Sequence, residues 1–282
     1  MKQKIFAYDL DGTLLKKNNT VAQFNKNAML EVQKRGHLNV IATGRGLHKI
    51  LPLLENKTLE HIDYCVCSNG TLFYDTKNKK TTVLKTLDPK NFDVIKKIAL
   101  KYDLILTLDT DKFNGTVLSN DEFPQWMAKT QIMDMNILNR STYQKLEEII
   151  HDPKSKITQI ALRNPLELAK KITEEVRSCV DQSQCEVYLT NSIYTDVNPK
   201  GASKFGGLLE LGKTLKIEED DMICFGDSGN DIEMLSCCGI GICMENGTQE
   251  AKEAADRIIG NHETNAIGET LLKILDKLQK AH

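Results

Sequence analysis

Four short polar clusters carry the residue types that could do chemistry. Asp9-Leu10-Asp11-Gly12-Thr13 follows the run Lys4-Ile5-Phe6-Ala7-Tyr8, and Thr43-Gly44-Arg45 follows His37-Leu38-Asn39-Val40-Ile41-Ala42. Ser68-Asn69-Gly70 follows Tyr64-Cys65-Val66-Cys67, and Gly226-Asp227-Ser228-Gly229-Asn230-Asp231 follows Met222-Ile223-Cys224-Phe225. Carboxylates two residues apart suit nucleophilic attack by one and proton transfer by the other. Carboxylate oxygens also suit a hard divalent cation. Each cluster alone has an ordinary reading, because Asp, Asn and Gly are common in turns. Several of them, each at the end of an apolar strand, are harder to dismiss as turns.

The elements that must position these clusters follow from the apolar pattern. The runs before the clusters are apolar and non-alternating, as expected of strands buried on both faces. Helices are predicted over about 21–35, closed by Gly36, and over about 46–55. Strand–helix–strand–helix implies a parallel sheet covered on both sides. The pattern returns after about 190, with a helix at 201–215, strands at 222–225 and 240–243, and helices at 230–236, from Thr248, and over 264–279. In such a sheet the carboxyl ends of the strands share one edge, so clusters over 200 residues apart converge on one crevice.

The middle of the chain is different. Thr71–Tyr74 and Thr81–Leu84 read as a hairpin around a polar turn. Residues 85–189 then mix two clear helices, at about 142–151 with a Ser141-x-x-Gln144 capping box and at about 166–180 after Pro165, with strands. Ile157–Leu162 alternates partly, like a strand with one wet face, and 103–109, 114–119, 134–138 and 185–190 look similar. The fold class expected is α/β: a Rossmann-like core of 1–84 and 190–282, with 85–189 an inserted α+β domain. Trp126, the sole Trp, falls in the insert and reads as packing.

Composition excludes several classes. The chain has 282 residues, 37 Lys plus Arg against 39 Asp plus Glu, and a net charge of −2. A near-neutral balance gives no electrostatic case for nucleic acid or an anionic membrane surface. No apolar stretch approaches the ~18 residues of a membrane span, and no signal peptide is evident, so a cytoplasmic location is expected. The eight cysteines have neither zinc-knuckle nor disulfide-scaffold spacing and read as reduced thiols, most of them packed.

The clusters together resemble the haloacid dehalogenase superfamily of phosphohydrolases. Asp9-Leu10-Asp11-Gly12-Thr13 looks like its first motif, Thr43-Gly44-Arg45 its second, Lys200 in Asn198-Pro199-Lys200-Gly201 its third, and Gly226–Asp231 its fourth. The long insertion between the second and third motifs is similar to the Cof-type branch, with its α/β cap. The resemblance spans essentially the whole chain. It implies a phosphatase of small phosphorylated metabolites, such as sugar phosphates or phosphorylated cofactors. It also places the Asn69-Gly70 loop toward the substrate and adds the backbone carbonyl of Asp11 to the metal ligands.

The chemistry expected of these residues has physical reasons. A carboxylate attacking a phosphate anion faces charge repulsion, which Mg2+ held by Asp9, Asp11 and Asp227 would relieve. Asp9 is then the nucleophile, forming an aspartyl-phosphate, and Asp11 the general acid and base. Lys200 would supply positive charge to the phosphoryl oxygens, with the Thr43 hydroxyl, the Gly44 and Leu10 amides and the Asn230 side chain as donors. Lys204 is the rival of Lys200; the motif match favours Lys200. Asp231 would orient the lysine or the metal shell. Arg45 either binds substrate or lies on a solvated helix face. The alternatives are a phosphomutase of the same fold, which calls for clustered cap arginines, and a catalytically silent phosphate-binding module. The insert offers only Arg140, Arg163 and Arg177, widely spaced, which favours hydrolysis.

Overall fold

A computed structural model of the chain describes residues 2–118, 122–127, 139–190 and 192–280. The first strand, β1 (Ile5–Tyr8), is buried throughout. The two-residue period of a strand sends Phe6 and Tyr8 to one side. There they meet Met29 and Val32 of α1 (Gln23–Lys34), Ile50 of α2 (Leu47–Glu55) and Leu271 and Ile274 of α9 (Ala266–Lys280). Ile5 and Ala7 face the opposite layer, with Leu208 and Leu211 of α6 (Lys204–Leu215) and Met234 of α7 (Ile232–Cys237). The sheet is therefore the middle of three layers. Truncating a buried leucine such as Leu271 to Ala would cost about 2–5 kcal/mol.

The sheet runs β13 (Arg257–Ile259), β12 (Ile240–Met244), β11 (Met222–Gly226), β1, β2 (Leu38–Ala42), β3 (Tyr64–Cys67), β4 (Leu72–Asp75), β5 (Lys80–Val83). Pairing is parallel from β13 to β3, and the β4–β5 hairpin adds two antiparallel strands. α8 (Gln249–Ala254) lies between β12 and β13 in sequence. Strand order reverses at β1, which lies between β2 and β11. This switch point is where a parallel sheet opens a ligand crevice.

A second sheet is antiparallel, in the order β7 (Asn114–Val117), β6 (Ile105–Thr110), β8 (Ile157–Arg163), β10 (Tyr194–Pro199), β9 (Cys185–Thr190). One face packs Leu106, Ile160 and Val197 against α3 (Asn91–Lys101), α4 (Tyr143–His151) and α5 (Ala169–Cys179) through Phe92, Leu146 and Ile172. The other face carries Thr107, Gln159, Arg163, Tyr194 and Asp196, which line a cavity shared with the first sheet. The fold class is thus as expected: a parallel-dominated α/β core with an inserted α+β unit.

Several expectations change in detail. The insert returns at about 200, not 190, because β10 is hydrogen-bonded between β8 and β9. The polar face of β8 is not wet: all seven residues are buried, and its polar side chains roof the cavity. α3 was not anticipated, although Phe92, Ile95, Ile98 and Ala99 form its buried stripe at helical spacing. The cap of α4 is Thr142, whose side chain accepts from the Lys145 amide, so the Ser141 box is displaced by one residue. The strand expected at 134–138 lies outside the described residues. Trp126 does pack, its indole donating to the Asp103 carbonyl at 2.9 Å. All eight cysteines are unpaired, with Cys65, Cys67, Cys185, Cys224 and Cys243 buried. The two connections between the sheets run side by side, with Lys85 Nζ donating to the Lys200 carbonyl at 3.1 Å.

Candidate active site

Asp9 leaves the carboxyl end of β1, with its amide donating to the Phe225 carbonyl of β11 at 2.9 Å. Its side chain is buried. Lys204 Nζ donates to Asp9 Oδ1 at 2.6 Å and to Asp231 Oδ1 at 2.7 Å. The second oxygen of Asp231 accepts from the amides of Asp227 and Ser228, each at 3.0 Å. Lys204 is the first residue of α6, whose N-cap Ser203 accepts from the Gly206 amide at 2.9 Å. Asp227 accepts from the Thr13 hydroxyl at 2.8 Å. Gly12 has a φ of +84°, and a Cβ there would lie 2.5 Å from Asp227 Oδ2, so the loop closes on Asp227 only with glycine.

Charge is crowded here. Burial, the charges of Asp231, Asp227 and Asp11, and only one compensating neighbour in Lys204 raise Asp9 well above the ordinary carboxylate range. Burial and Asp231 push Asp227 up to about 6. Burial alone would lower Lys204, but Asp231 and Asp9 outweigh it and hold the ammonium protonated. Asp11 is half-buried, and Arg45 outweighs the desolvation and holds it below its ordinary value. The guanidinium grips Asp11 with both arms, Nε to Oδ2 at 2.8 Å and a second bond from Nη2 to Oδ1.

The sequence pattern of the haloacid dehalogenase-like hydrolases matches residues 6–271. The chain belongs to this family of hydrolases. It is 27% identical over 259 residues to the 5-amino-6-(5-phospho-D-ribitylamino)uracil phosphatase YcsE of Bacillus subtilis, covering 90% of this chain and 89% of that one. It is 26% identical over 283 residues to the pyridoxal phosphate phosphatase YbhA of Escherichia coli, covering 95% and 97%. A haloacid dehalogenase-like hydrolase from Bacteroides thetaiotaomicron shares the fold with a TM-score of 0.79 at 21% identity, covering 97% of this chain and all of that one. The subclass IIB sugar phosphatase BT4131 does so with a TM-score of 0.80 at 20% identity, over 96% and 99%.

In this hydrolase the residues expected at the site are not all brought together. Lys200 is the main departure. Its side chain is 53% exposed and pairs with Glu186 at 3.0 Å. Lys204 occupies the position expected for it. The helix begins at 204 rather than 201: β10 runs on to Pro199, and a turn through Gly201 separates it from the Ser203 cap. The Ser203-Lys204 pair was the available signal. Arg45 does not lie on a solvated helix face: it is buried and holds Asp11 through Nε and Nη2. It also lines the cavity with Nη1 making no hydrogen bond, which leaves that nitrogen available to a substrate. The Thr43 hydroxyl accepts from the Arg45 amide at 3.1 Å, steadying that turn while Thr43 lines the cavity with Gly44 and Asn230. The Leu10 side chain is fully buried in the core, which leaves only its backbone to the site. Asn69 is 1% exposed, with both ends of its amide engaged by protein groups, and does not line the cavity.

The donor set fits a hard cation. Carboxylate oxygens of Asp9, Asp227 and Asp231 lie within 4.8 Å of one another. Four carboxylates, counting Asp11, make direct ion pairs with only two cations, Lys204 and Arg45, while Lys49 lines the same cavity. Asp227 makes no ion pair among the described residues, so negative charge is in excess beside Asp9. An all-oxygen set with excess negative charge suits a small divalent ion such as magnesium. Asp231 already spends both oxygens on Lys204 and two amides, so Asp9 and Asp227 are the side chains best able to hold one. The cavity above them has a volume of about 100 Å3 and is roofed by the second sheet. No helix among the described residues is long and apolar enough to cross a membrane.

Proposed function

We propose that this hydrolase removes phosphate from small phosphorylated metabolites through an aspartyl-phosphate on Asp9. The observation that carries the reading is the buried chain Asp9–Lys204–Asp231 beside Asp227, at the switch point of the sheet. Asp9 and Asp227 would hold Mg2+, which when bound offsets the repulsion between carboxylate and phosphate. One oxygen of Asp9 attacks phosphorus and the ester oxygen leaves with the bonding pair. Lys204 and the Gly44 amide face the negative charge that develops on the phosphoryl oxygens. Asp11 delivers a proton to the leaving oxygen, then takes one from the water that releases phosphate from Asp9. Arg45 holds Asp11 ionised before substrate binds, so the proton it delivers has to be taken up from the monoanionic phosphate ester or from solvent as substrate enters. Having delivered it, Asp11 is again the carboxylate that accepts a proton from water.

The cavity supports a small substrate whose non-phosphate part meets Thr107, Gln159, Arg163, Tyr194 and Asp196. Sugar phosphates and phosphorylated cofactors are the classes proposed, in line with the names of the relatives. Of the insert's arginines, Arg163 lines the cavity, whereas Arg177 is engaged with Glu174 and the Val187 carbonyl. A second phosphate subsite built from clustered arginines is therefore not favoured among the described residues, and hydrolysis is preferred over phosphate return. Eight unpaired cysteines support a reducing, cytoplasmic location.

The test is phosphate release from a metabolite panel with wild type and Asp9→Asn, together with acid-quench trapping of labelled phosphate on protein. Wild type should turn over and trap label on Asp9, and Asp9→Asn should do neither. Turnover undiminished in Asp9→Asn, or label on another residue, overturns the assignment.

A further inference from the structure

The loop after β3 is built from three consecutive left-handed residues, Ser68 (φ 48°), Asn69 (φ 52°) and Gly70 (φ 86°). Such a run is strained for L residues, and Asn is among the few that tolerate it. It is held from below, because a Cβ on Gly70 would collide with the Ser203 carbonyl, the N-cap of the helix that carries Lys204. It is held from the side by the Asn69 amide, which donates to the Thr43 carbonyl at 3.1 Å. The strained geometry aims the Asn69 carboxamide at two different parts of the molecule.

Its Nδ2 donates to Asn198 Oδ1 at 3.1 Å and to Asp196 Oδ2 at 3.4 Å, both on β10 of the inserted sheet. Its Oδ1 accepts from Asn230 Nδ2 at 3.0 Å, in the acidic loop of the core. Asn230 in turn accepts from the Ser228 hydroxyl at 2.9 Å, and Ser228 donates through its amide to Asp231. The relay is extended upward by Asn198, which donates to the Ser68 carbonyl at 3.0 Å and to Gln159 Oε1 at 3.1 Å. One buried carboxamide thus joins the roof of the cavity to the loop that carries Asp227 and Asp231.

We infer that Asn69 is a positioning residue: it couples seating of the inserted sheet to the placement of Asn230 and the acidic loop. It touches neither the cavity nor the reacting atoms. A substrate that draws the roof down therefore tightens the Asn230 end, and a roof that lifts releases it. The inference rests on the phosphatase reading for its kinetic consequence only; the coupling itself is a property of the fold.

Asn69→Asp keeps size and left-handed tolerance and keeps an acceptor for Asn230. It replaces the donor facing Asp196 and Asn198 with a third acceptor. Adding Asp196→Asn returns a donor to the other side of the same contact. Hydrogen exchange is read at residues 194–199 and 228–231, and steady-state kinetics on the best metabolite found. Asn69→Asp should speed exchange in both segments and lower kcat/KM by roughly 10–100-fold, the scale of a lost buried hydrogen bond with a charged partner. The double variant should recover a large part of the exchange protection, the readout that decides it because Asp196 itself lines the cavity. Faster exchange confined to the 68–70 loop, or a double variant no better than Asn69→Asp, overturns the inference. If wild type hydrolyses no phosphate ester, the phosphatase reading fails and the exchange data decide the coupling alone. Should Asn69→Asp not fold, Asn230→Ala cuts the relay from the core side. Faster exchange at 194–199 then supports the coupling, and unchanged exchange there refutes it.

Discussion

Replacing Lys204 by Met removes the single ammonium set between Asp9 and Asp231, with Lys204 and Asp231 at most 1% exposed. Breaking a buried ion pair from one side costs about 3–5 kcal/mol, because the partner charge stays buried and unmatched. Two partners are stranded here, which places the loss toward the upper end. At roughly 2 °C per kcal/mol for a chain of this size, the melting midpoint should fall by about 6–10 °C in EDTA. Lys200→Met removes a pair whose side chains are 53% and 29% exposed. Such a contact is worth under about 1 kcal/mol, so its midpoint should move by less than ~2 °C. Turnover should separate the two lysines as well. Lys204→Met should lose at least about 100-fold in kcat, the scale of removing one preorganised charge from a transition state, and Lys200→Met should stay near wild type. Added Mg2+ should restore part of the Lys204→Met midpoint, since the stranded carboxylates then have a counter-charge. A variant pair with the opposite order, Lys200→Met inactive and Lys204→Met stable and active, would refute the assignment of the lysine.

Rigorous chelation should abolish turnover and Mg2+ should restore it; calorimetry should register Mg2+ binding that Asp227→Ala weakens at least tenfold. Asp196 is pushed up to about 6 by burial, so its protonated form favours folding: that stability is present below pH ~4 and lost as pH rises through 6. Asp196→Asn should therefore stabilise the protein by up to about 3 kcal/mol at pH 8 and by little at pH 4, read from urea melts. Gly46→Ala places a Cβ into the Asp109 carboxylate of the inserted sheet. Its backbone is ordinary for Ala, so the core should stay folded while small-angle scattering shows a larger radius of gyration and kcat/KM falls.

What the sequence made legible was whatever local pattern dictates. Non-alternating runs such as Ile5–Tyr8 specify strands covered on both faces, and the acidic clusters at their ends must then converge. The insert was harder. Its sheet faces a second protein surface, so the polar positions of β8 and β10 look like solvent positions when they line a buried cavity. That is why residues 190–199 read as core and Ile157–Leu162 reads as a strand with one wet face. The two lysines differ for a local reason: Lys200 lies in the turn after β10 and Lys204 opens the helix, and only the cap at Ser203 decides which side chain points inward. Partners such as Arg45 for Asp11, or Asn69 for Asn230, depend on contacts between loops distant in sequence. No periodicity encodes them.

The paired connections at Lys85 and Lys200 have a mechanical consequence. A body tied by one strand can swing in any direction, whereas two tethers side by side leave it essentially one axis of rotation. The inserted sheet should therefore open as a door does, carrying β10 away from the acidic loop along a single arc. The same connection runs on, four residues later, into the helix that begins with Lys204. Any opening torque is thus delivered next to the residue that neutralises Asp9, and a graft that exchanges the insert must preserve the length of residues 200–203 or turn that lysine out of register.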